Sequence, residues 1–246
     1  PYIGSGNKVS EDDILKNITS EENLQKGRIV IGVDTGLKLH YVIGNQDGIF
    51  YYGIAEGYAD IERFLKRWEN AVAVFDQGGD LIGVRELREK YPGRVFLCHY
   101  RQDRRTMQLI SWGENDEMGN VVVDRNRVMQ ILIEEFRTRR ISLNGTKADF
   151  WDYWLHWSNI YRVAEENNLG VITYKWLRSG ADHWCHATLY WRVGMSKFAT
   201  SGQGMIIEKD YEEFPLSPEI QPDGTALHSP NGLGTIKISE NNWQIN

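Results

Sequence analysis

The run Arg-Ile-Val-Ile-Gly-Val at residues 28–33 is apolar on both side-chain parities, and it ends at once in Asp34-Thr35-Gly36. A strand of this kind must be covered on both faces, so the sheet that contains it needs helices above and below. Residues 71–75, Ala-Val-Ala-Val-Phe, form a second such run; Asp76-Gln77-Gly78-Gly79-Asp80 follows it, and a helical pattern covers 81–90. Strand, acid, glycine turn and helix make an α/β unit.

The remaining pattern fills in around these two strands. Residues 39–43 and 48–54 read as strands joined by Gly44-Asn45-Gln46-Asp47, whose composition suits a hairpin turn, so three antiparallel strands in sequence are expected. Ile61, Phe64, Leu65 and Trp68 lie on one face of a helix at 58–68. A short strand is expected at 95–99, a hairpin between 107–112 and 120–124, and an amphipathic helix carrying Val128, Ile131, Leu132 and Phe136. That helix ends in Arg137, Arg139 and Arg140, which suit a helix C-terminus. Trp151, Trp154, Trp157 and Tyr161 are spaced by three and four, which predicts a helix over 150–168 burying an aromatic stripe rather than a base-stacking surface. A strand at 171–176 and a helix at 181–193 follow, with Asp182 in the first turn. From about Thr200 the chain is rich in Gly, Pro, Ser and Asn, and 200–246 are expected to form a flexible tail.

With 246 residues, 41% of them hydrophobic, there is apolar material for one large domain, expected at 28–199. A net charge of -6 argues against a simple DNA-coating protein, since any nucleic-acid contact must come from a local basic face. It suits an enzyme whose clustered carboxylates are neutralised by bound cations. Two cysteines, Cys98 and Cys185, give no disulfide framework and point to a reducing compartment. No signal-peptide pattern and no membrane-spanning run occurs. The chain opens at Pro1 without methionine on a polar stretch, which reads as a piece of a longer polypeptide with a linker at 1–27.

Asp34, Asp76 and Asp182 each lie at the end of an element, where a sheet directs side chains into a shared crevice. An aspartate in such a place is commonly a turn former or helix cap, and Asp182 suits a cap in particular. Their combination suits phosphodiester hydrolysis, which requires an activated water, stabilisation of charge on phosphorus and help for the leaving oxygen. Two Mg2+ or Mn2+ ions held by carboxylates from different elements supply all three.

The segments VIGVDTG (30–36), AVFDQGGD (73–80), NVVVDRNRVMQILIEEFRTRRI (120–141) and SGADHWCHA (179–187) resemble the nuclease domain of phage terminase large subunits, a likeness spanning residue 1 to about 195. The resemblance implies a ribonuclease H-like fold, a central mixed β-sheet flanked by helices. It also implies metal-dependent cleavage of double-stranded viral DNA concatemers during packaging, in the cytoplasm of an infected bacterium. The catalytic, metal-holding acids would be Asp34, Asp76 and Asp182, with Asp34 bridging two ions. The portal protein and the small terminase subunit would be partners in the full motor. The opening segment resembles the stretch that follows the family's ATPase domain. No catalytic role follows for the third segment. GSGNKVS (4–10) lacks Walker A spacing, so P-loop ATP hydrolysis is not expected.

His183 is a candidate to orient water or touch the scissile phosphate, and the role of His186 stays open. His183, Cys185 and His186, with Cys98 and His99, carry zinc-type donors, but their spacing matches no standard zinc module. Arg101, Arg104 and Arg105, with Lys175 and Arg178, are candidate phosphate contacts as well as ordinary solvated charges. An actin-like ATPase shares the two acid–glycine turns, but the stretch between Gly36 and Asp76 is too short for the intervening domain. A Holliday-junction resolvase, a transposase core and a non-catalytic docking module of a packaging machine are the other readings.

Overall fold

The computed structural model describes residues 8–21, 23, 25–79, 81–101, 109–113, 119–166 and 172–198. Arg104, Arg105 and the expected tail lie outside the described residues.

The two doubly apolar runs form the centre of a mixed sheet. The first is β2 (Val30–Thr35), after α1 (Glu11–Leu15) and β1 (Ile18–Thr19); β3 (Leu39–Asn45) and β4 (Gly48–Ala55) follow as the expected antiparallel meander. After α2 (Tyr58–Arg67) the chain crosses to β5 (Val72–Asp76), which pairs parallel to β2, and after α3 (Leu81–Lys90) to β6 (Val95–Tyr100), parallel to β5. The expected hairpin is β7 (Ile110–Trp112) with β8 (Asn120–Val123), and β8 also pairs parallel to β6. α4 (Arg125–Arg137) and the short β9 (Leu143–Asn144) come next; among the described residues the sheet order is β1-β9-β4-β3-β2-β5-β6-β8-β7. Segment 1–27, expected as a linker, contributes from Lys8 onward a helix and an edge strand, with Val9, Ile14 and Leu15 buried.

Alternation along the central strands divides the core. Ile29, Ile31 and Val33 with Ala73 and Phe75 meet Ile61 and Leu65 of α2 and Val84 and Leu87 of α3. The opposite face receives α6 (His183–Ser196), which lies on β2, β3 and β5 and also touches α4 and α5 (Trp151–Ser158). α6 is buried from Trp184 to Met195 on nearly every side because it sits between the sheet and two helices. Its approach to the sheet is set by Gly32: a Cβ there would overlap the Ala187 carbonyl oxygen and the Trp191 amide nitrogen. A buried pair also fastens α6 to α4, with Arg192 Nε donating to both Glu135 carboxylate oxygens at 2.9 and 3.1 Å.

The helix expected over 150–168 is cut short. α5 ends at Ser158, Asn159 caps it, and residues from Ile160 onward form β10 (Ile160–Glu166), antiparallel to β11 (Ile172–Arg178). Of the expected stripe only Trp157 is fully buried, with Trp154 half-buried and Trp151 46% exposed; Tyr153, outside that stripe, takes the inward position one turn before Trp157. The β-branched Ile160 and Val163 prefer the strand once β11 is available as a partner. β11 likewise runs beyond the expected 171–176, and its partner is β10 rather than the main sheet. No helix among the described residues is long and apolar enough to cross a membrane.

Replacing Gly32 by Ala should destabilise the domain by about 3 kcal/mol or more, or prevent soluble folding, because the clash is with helix backbone that cannot rotate away. Gly57→Ala, where an added Cβ meets nothing within 4 Å, should stay within about 0.5 kcal/mol of the parent in urea denaturation.

Candidate active site

Parallel pairing of β2 and β5 in the register Val33↔Phe75 places Asp34 and Asp76 side by side at the same end of the sheet. Both share parity with residues that face α6: Gly32 lies under Ala187 and Trp191, while Val30 and Val74 lie under Gly194. Both acids therefore project to the α6 side, and α6 runs antiparallel to β2, so its N-terminal residues arrive at Asp34. Thr35 Oγ1 donates to the Asp76 carbonyl at 3.2 Å and joins the two strand ends. Gly79 lies so close to Thr35 that a side chain there would overlap the threonine.

Asp182 occupies the N-cap position of α6, yet its side chain makes no capping bond. It accepts instead from Arg178 Nη1 at 3.0 Å and from His186 Nε2 at 3.2 Å. Asp34 Oδ2 accepts from His183 Nδ1 at 2.8 Å. Both carboxylates are buried, with side-chain exposures of 12% for Asp34 and 2% for Asp182. Their electrostatics differ. Burial lifts the Asp34 carboxyl, and Asp76 beside it adds to the rise, against the opposing pull of His186 and His183. Burial acts the same way on Asp182, but His186 and Arg178 outweigh it and hold that carboxyl well below the usual carboxylate range.

Four further residues belong to this centre that sequence reasoning missed. His40 pairs with Asp34 across the β2–β3 ladder, and its ring stacks on His183 with centroids 4.3 Å apart. His156 of α5 lies 5.8 Å from both His40 and His183, and its Nδ1 accepts the Trp184 amide at 3.1 Å. Burial, with His183 close by, brings both His40 and His156 down to about 4. Tyr100, at the end of β6, places its hydroxyl 2.6 Å from His186 Nδ1, and an Arg125 terminal nitrogen lies 3.4 Å from His186 Nε2. The hairpin register made His40 findable from sequence; for the others sequence carried no sufficient signal.

Of the candidate phosphate contacts, Arg178 comes into the site through Asp182. Lys175 is exposed on the same strand, β11, and Arg101 is half-buried and donates to Ser111 Oγ at 3.0 Å. Cys98 and Cys185 are buried, and burial pushes both thiols up, so neither offers a thiolate.

Among the described residues no three His, Cys, Asp or Glu side chains converge into a ready-made metal cage. The donor chemistry still fits a hard divalent ion. Asp34 is a buried carboxylate next to a second acid, and a cation would remove the cost that lifts its pKa. Mg2+ in particular is commonly held by one or two carboxylates, completing its shell with water and substrate phosphate.

A mixed sheet with a β2–β3–β4 meander, parallel β5 and β6, and a helix bringing an acid to the ends of β2 and β5 is a ribonuclease H-like fold. Solved structures with a similar fold include nuclease domains of phage large terminases. The nuclease domain of the large terminase subunit gp2 of bacterial virus Sf6 matches with a TM-score of 0.50 and 14% identity, over 74% of this chain and 96% of that one. A point mutant of the Sf6 protein, solved with calcium, matches at 0.52 and 11% identity over 74% and 97%. The large terminase nuclease of thermophilic phage G20c gives 0.48 and 11% over 75% and 97%. No protein-family model and no curated protein matches the chain.

The lowered His40 and His156 predict a pH-dependent stability. An imidazole protonated more easily in the unfolded chain contributes fully above its ordinary 6.5 and loses that contribution as pH falls toward about 4. Half-burial limits the loss to on the order of 1 kcal/mol per ring. His40→Phe keeps a ring for stacking but takes no proton, so its stability should fall less steeply between pH 6.5 and about 4. Asp34, whose raised pKa acts in the opposite sense, is common to both proteins. Parallel denaturation curves across that window would show that burial of His40 has no such effect.

Proposed function

We propose that this chain is a divalent-metal-dependent endodeoxyribonuclease that cuts double-stranded viral DNA concatemers during genome packaging, as the nuclease part of a terminase large subunit. The observation that carries the reading is the placement of Asp34 and Asp76 on adjacent parallel strand ends, both projecting toward the helix that Asp182 precedes. The fold seen in terminase nuclease domains supports it.

Asp34, Asp76 and Asp182 would hold the Mg2+ or Mn2+ ions, two in the active state, with Asp34 shared between them. Such ions lower the pKa of a water and offset the charge that develops on phosphorus. The chain's own residues set the stage. β2 and β5 hold two acids on rigid backbone, His183 fixes the Asp34 carboxylate, and His40 backs the His183 ring. Arg178 pairs with Asp182 yet keeps an exposed side chain, so it would exchange the acid for a DNA phosphate, and Lys175 with Arg101, Arg104 and Arg105 would supply sequence-independent backbone contacts. Portal protein and small terminase subunit complete the proposed assembly.

The test is incubation of supercoiled plasmid with the protein and Mn2+, Mg2+ or EDTA. Nicking and linearisation should require metal. Asp34→Asn, Asp76→Asn and Asp182→Asn should each cut more than about a hundredfold more slowly, since even residues that merely support a metal ligand commonly cost 10- to 100-fold. Asp34→Asn should melt no lower than the parent without metal, because it removes a carboxylate whose burial is unfavourable. Cleavage that survives Asp34→Asn, or a well-folded parent that never cuts, would overturn the proposal and favour a docking module.

A further inference from the structure

The segment from Val121 to Arg127 resembles framework and received no catalytic role from sequence, yet it delivers a cation to the acid centre. β8 runs parallel to β6 in the register Tyr100↔Val123, and β6 runs parallel to β5 in the register Asp76↔Cys98. β2, β5, β6 and β8 therefore all end on one side of the sheet, where ligands of open α/β sheets bind. There α4 begins, with Asp124 accepting the Arg127 amide at 3.1 Å, and Arg125 is its first residue.

Among the described residues the surroundings of Arg125 supply no directly paired anion. Its Nε is buried and has no hydrogen-bond partner. Its guanidinium carbon lies 5.7 Å from the centre of the Tyr100 ring, and one terminal nitrogen is 3.4 Å from His186 Nε2. That nitrogen of His186 also faces Asp182 Oδ2 at 3.2 Å. A carboxylate only accepts, so Nε2 carries a hydrogen and is no acceptor for the guanidinium. Tyr100, itself hydrogen-bonded to Tyr190, holds the other imidazole nitrogen at 2.6 Å and keeps the ring from turning. His186 thus stands between Arg125 and Asp182, whose oxygens already meet Arg178 and His186. Among the described residues no carboxylate lies within 4.0 Å of Arg125. A half-buried guanidinium without a counter-ion is costly, and its planar fork matches a phosphate.

We propose that Arg125 binds a backbone phosphate of the DNA strand in the site, with His186 as the wall that keeps it off Asp182. The inference rests on the nuclease reading, and it adds a phosphate-holding residue separated from the third acid by one imidazole ring.

The experiment measures binding apart from cleavage. The full chain is titrated with a fluorescent duplex in Ca2+ buffer over a series of salt concentrations, and kcat and KM are measured separately with Mn2+. Compared are the parent, Arg125→Gln, Arg125→Lys and, as a distant exposed control, Arg140→Gln. Arg125→Gln should lower the slope of log affinity against log salt by about one and weaken binding about threefold or more at low salt. Arg125→Lys should recover the slope while leaving kcat/KM about tenfold below the parent, because a point charge replaces a fork. Arg140→Gln should change neither. A folded Arg125→Gln protein with parental affinity and slope would overturn the proposal, as would a lowered melting temperature with an unaltered slope, which marks a structural role. Parent protein that binds but never cuts would sink the nuclease reading alone. Parent protein that does not bind duplex would sink both.

Discussion

The contact of α6 with β2 through Gly32 is the constraint on which the site depends. Helix backbone rests on strand backbone there, a separation that no side chain at position 32 would permit. Because α6 runs antiparallel to β2, this one contact also fixes where the helix starts: Asp182 and His183 arrive at the end of β2, beside Asp34. The Glu135–Arg192 pair and the buried flank of α6 against α4 and α5 hold the helix against sliding. Several ångströms of slippage along its axis would separate the acids, so packing precision here becomes chemical precision.

The two buried acids are handled differently, and the difference bears on how they would work. Asp182 has its charge matched by Arg178 and His186, so it is ionised and held by its neighbours. Among the described residues Asp34 has only His183 as a direct partner and a second acid nearby, so its charge remains under-compensated. An under-compensated carboxylate is the stronger attractor for a cation, which agrees with its proposed role as the shared ligand. The imidazoles around it extend this logic. His40 and His156 are neutral at physiological pH, so they add shape without adding charge that would repel a metal.

Function in this arrangement comes from strand ends and helix starts, and structure from everything behind them. Asp34, Asp76, Tyr100 and Arg125 all lie at the same end of β2, β5, β6 and β8 or in the turn just after. The residues behind them, Ile31, Val33, Phe75 and Leu97, are apolar and buried. That division lets the sheet bear the cost of gathering like charges, because its hydrophobic burial does not depend on the site's protonation. Arg178 sits on the β10–β11 hairpin outside the main sheet, so the third acid has one partner on its own helix and one on a separate element.

Local pattern alone was enough for β2 and β5, whose uninterrupted apolar runs have one stable solution, and for the acids that end them. The meander, α2, α3 and the β7–β8 hairpin followed from periodicity and turn residues for the same reason: their signals lie within a few residues of one another. Tertiary structure decided the rest. The strand from Ile160 needed β11 as a partner before it could outcompete the helical spacing of the aromatic residues, and sequence does not announce a partner. Asp182 resembles a cap by position, but only the arrival of Arg178 and His186 turns its carboxylate away from the helix end. His156 and Arg125 look like ordinary helix residues until α6 brings His183 and His186 alongside them. Sequence determined which elements form and which acids end them, because those are local matters of periodicity and chemistry. Which cations, imidazoles and hydroxyls surround those acids is settled by contacts between residues far apart in the chain, and these exist only once the core has packed.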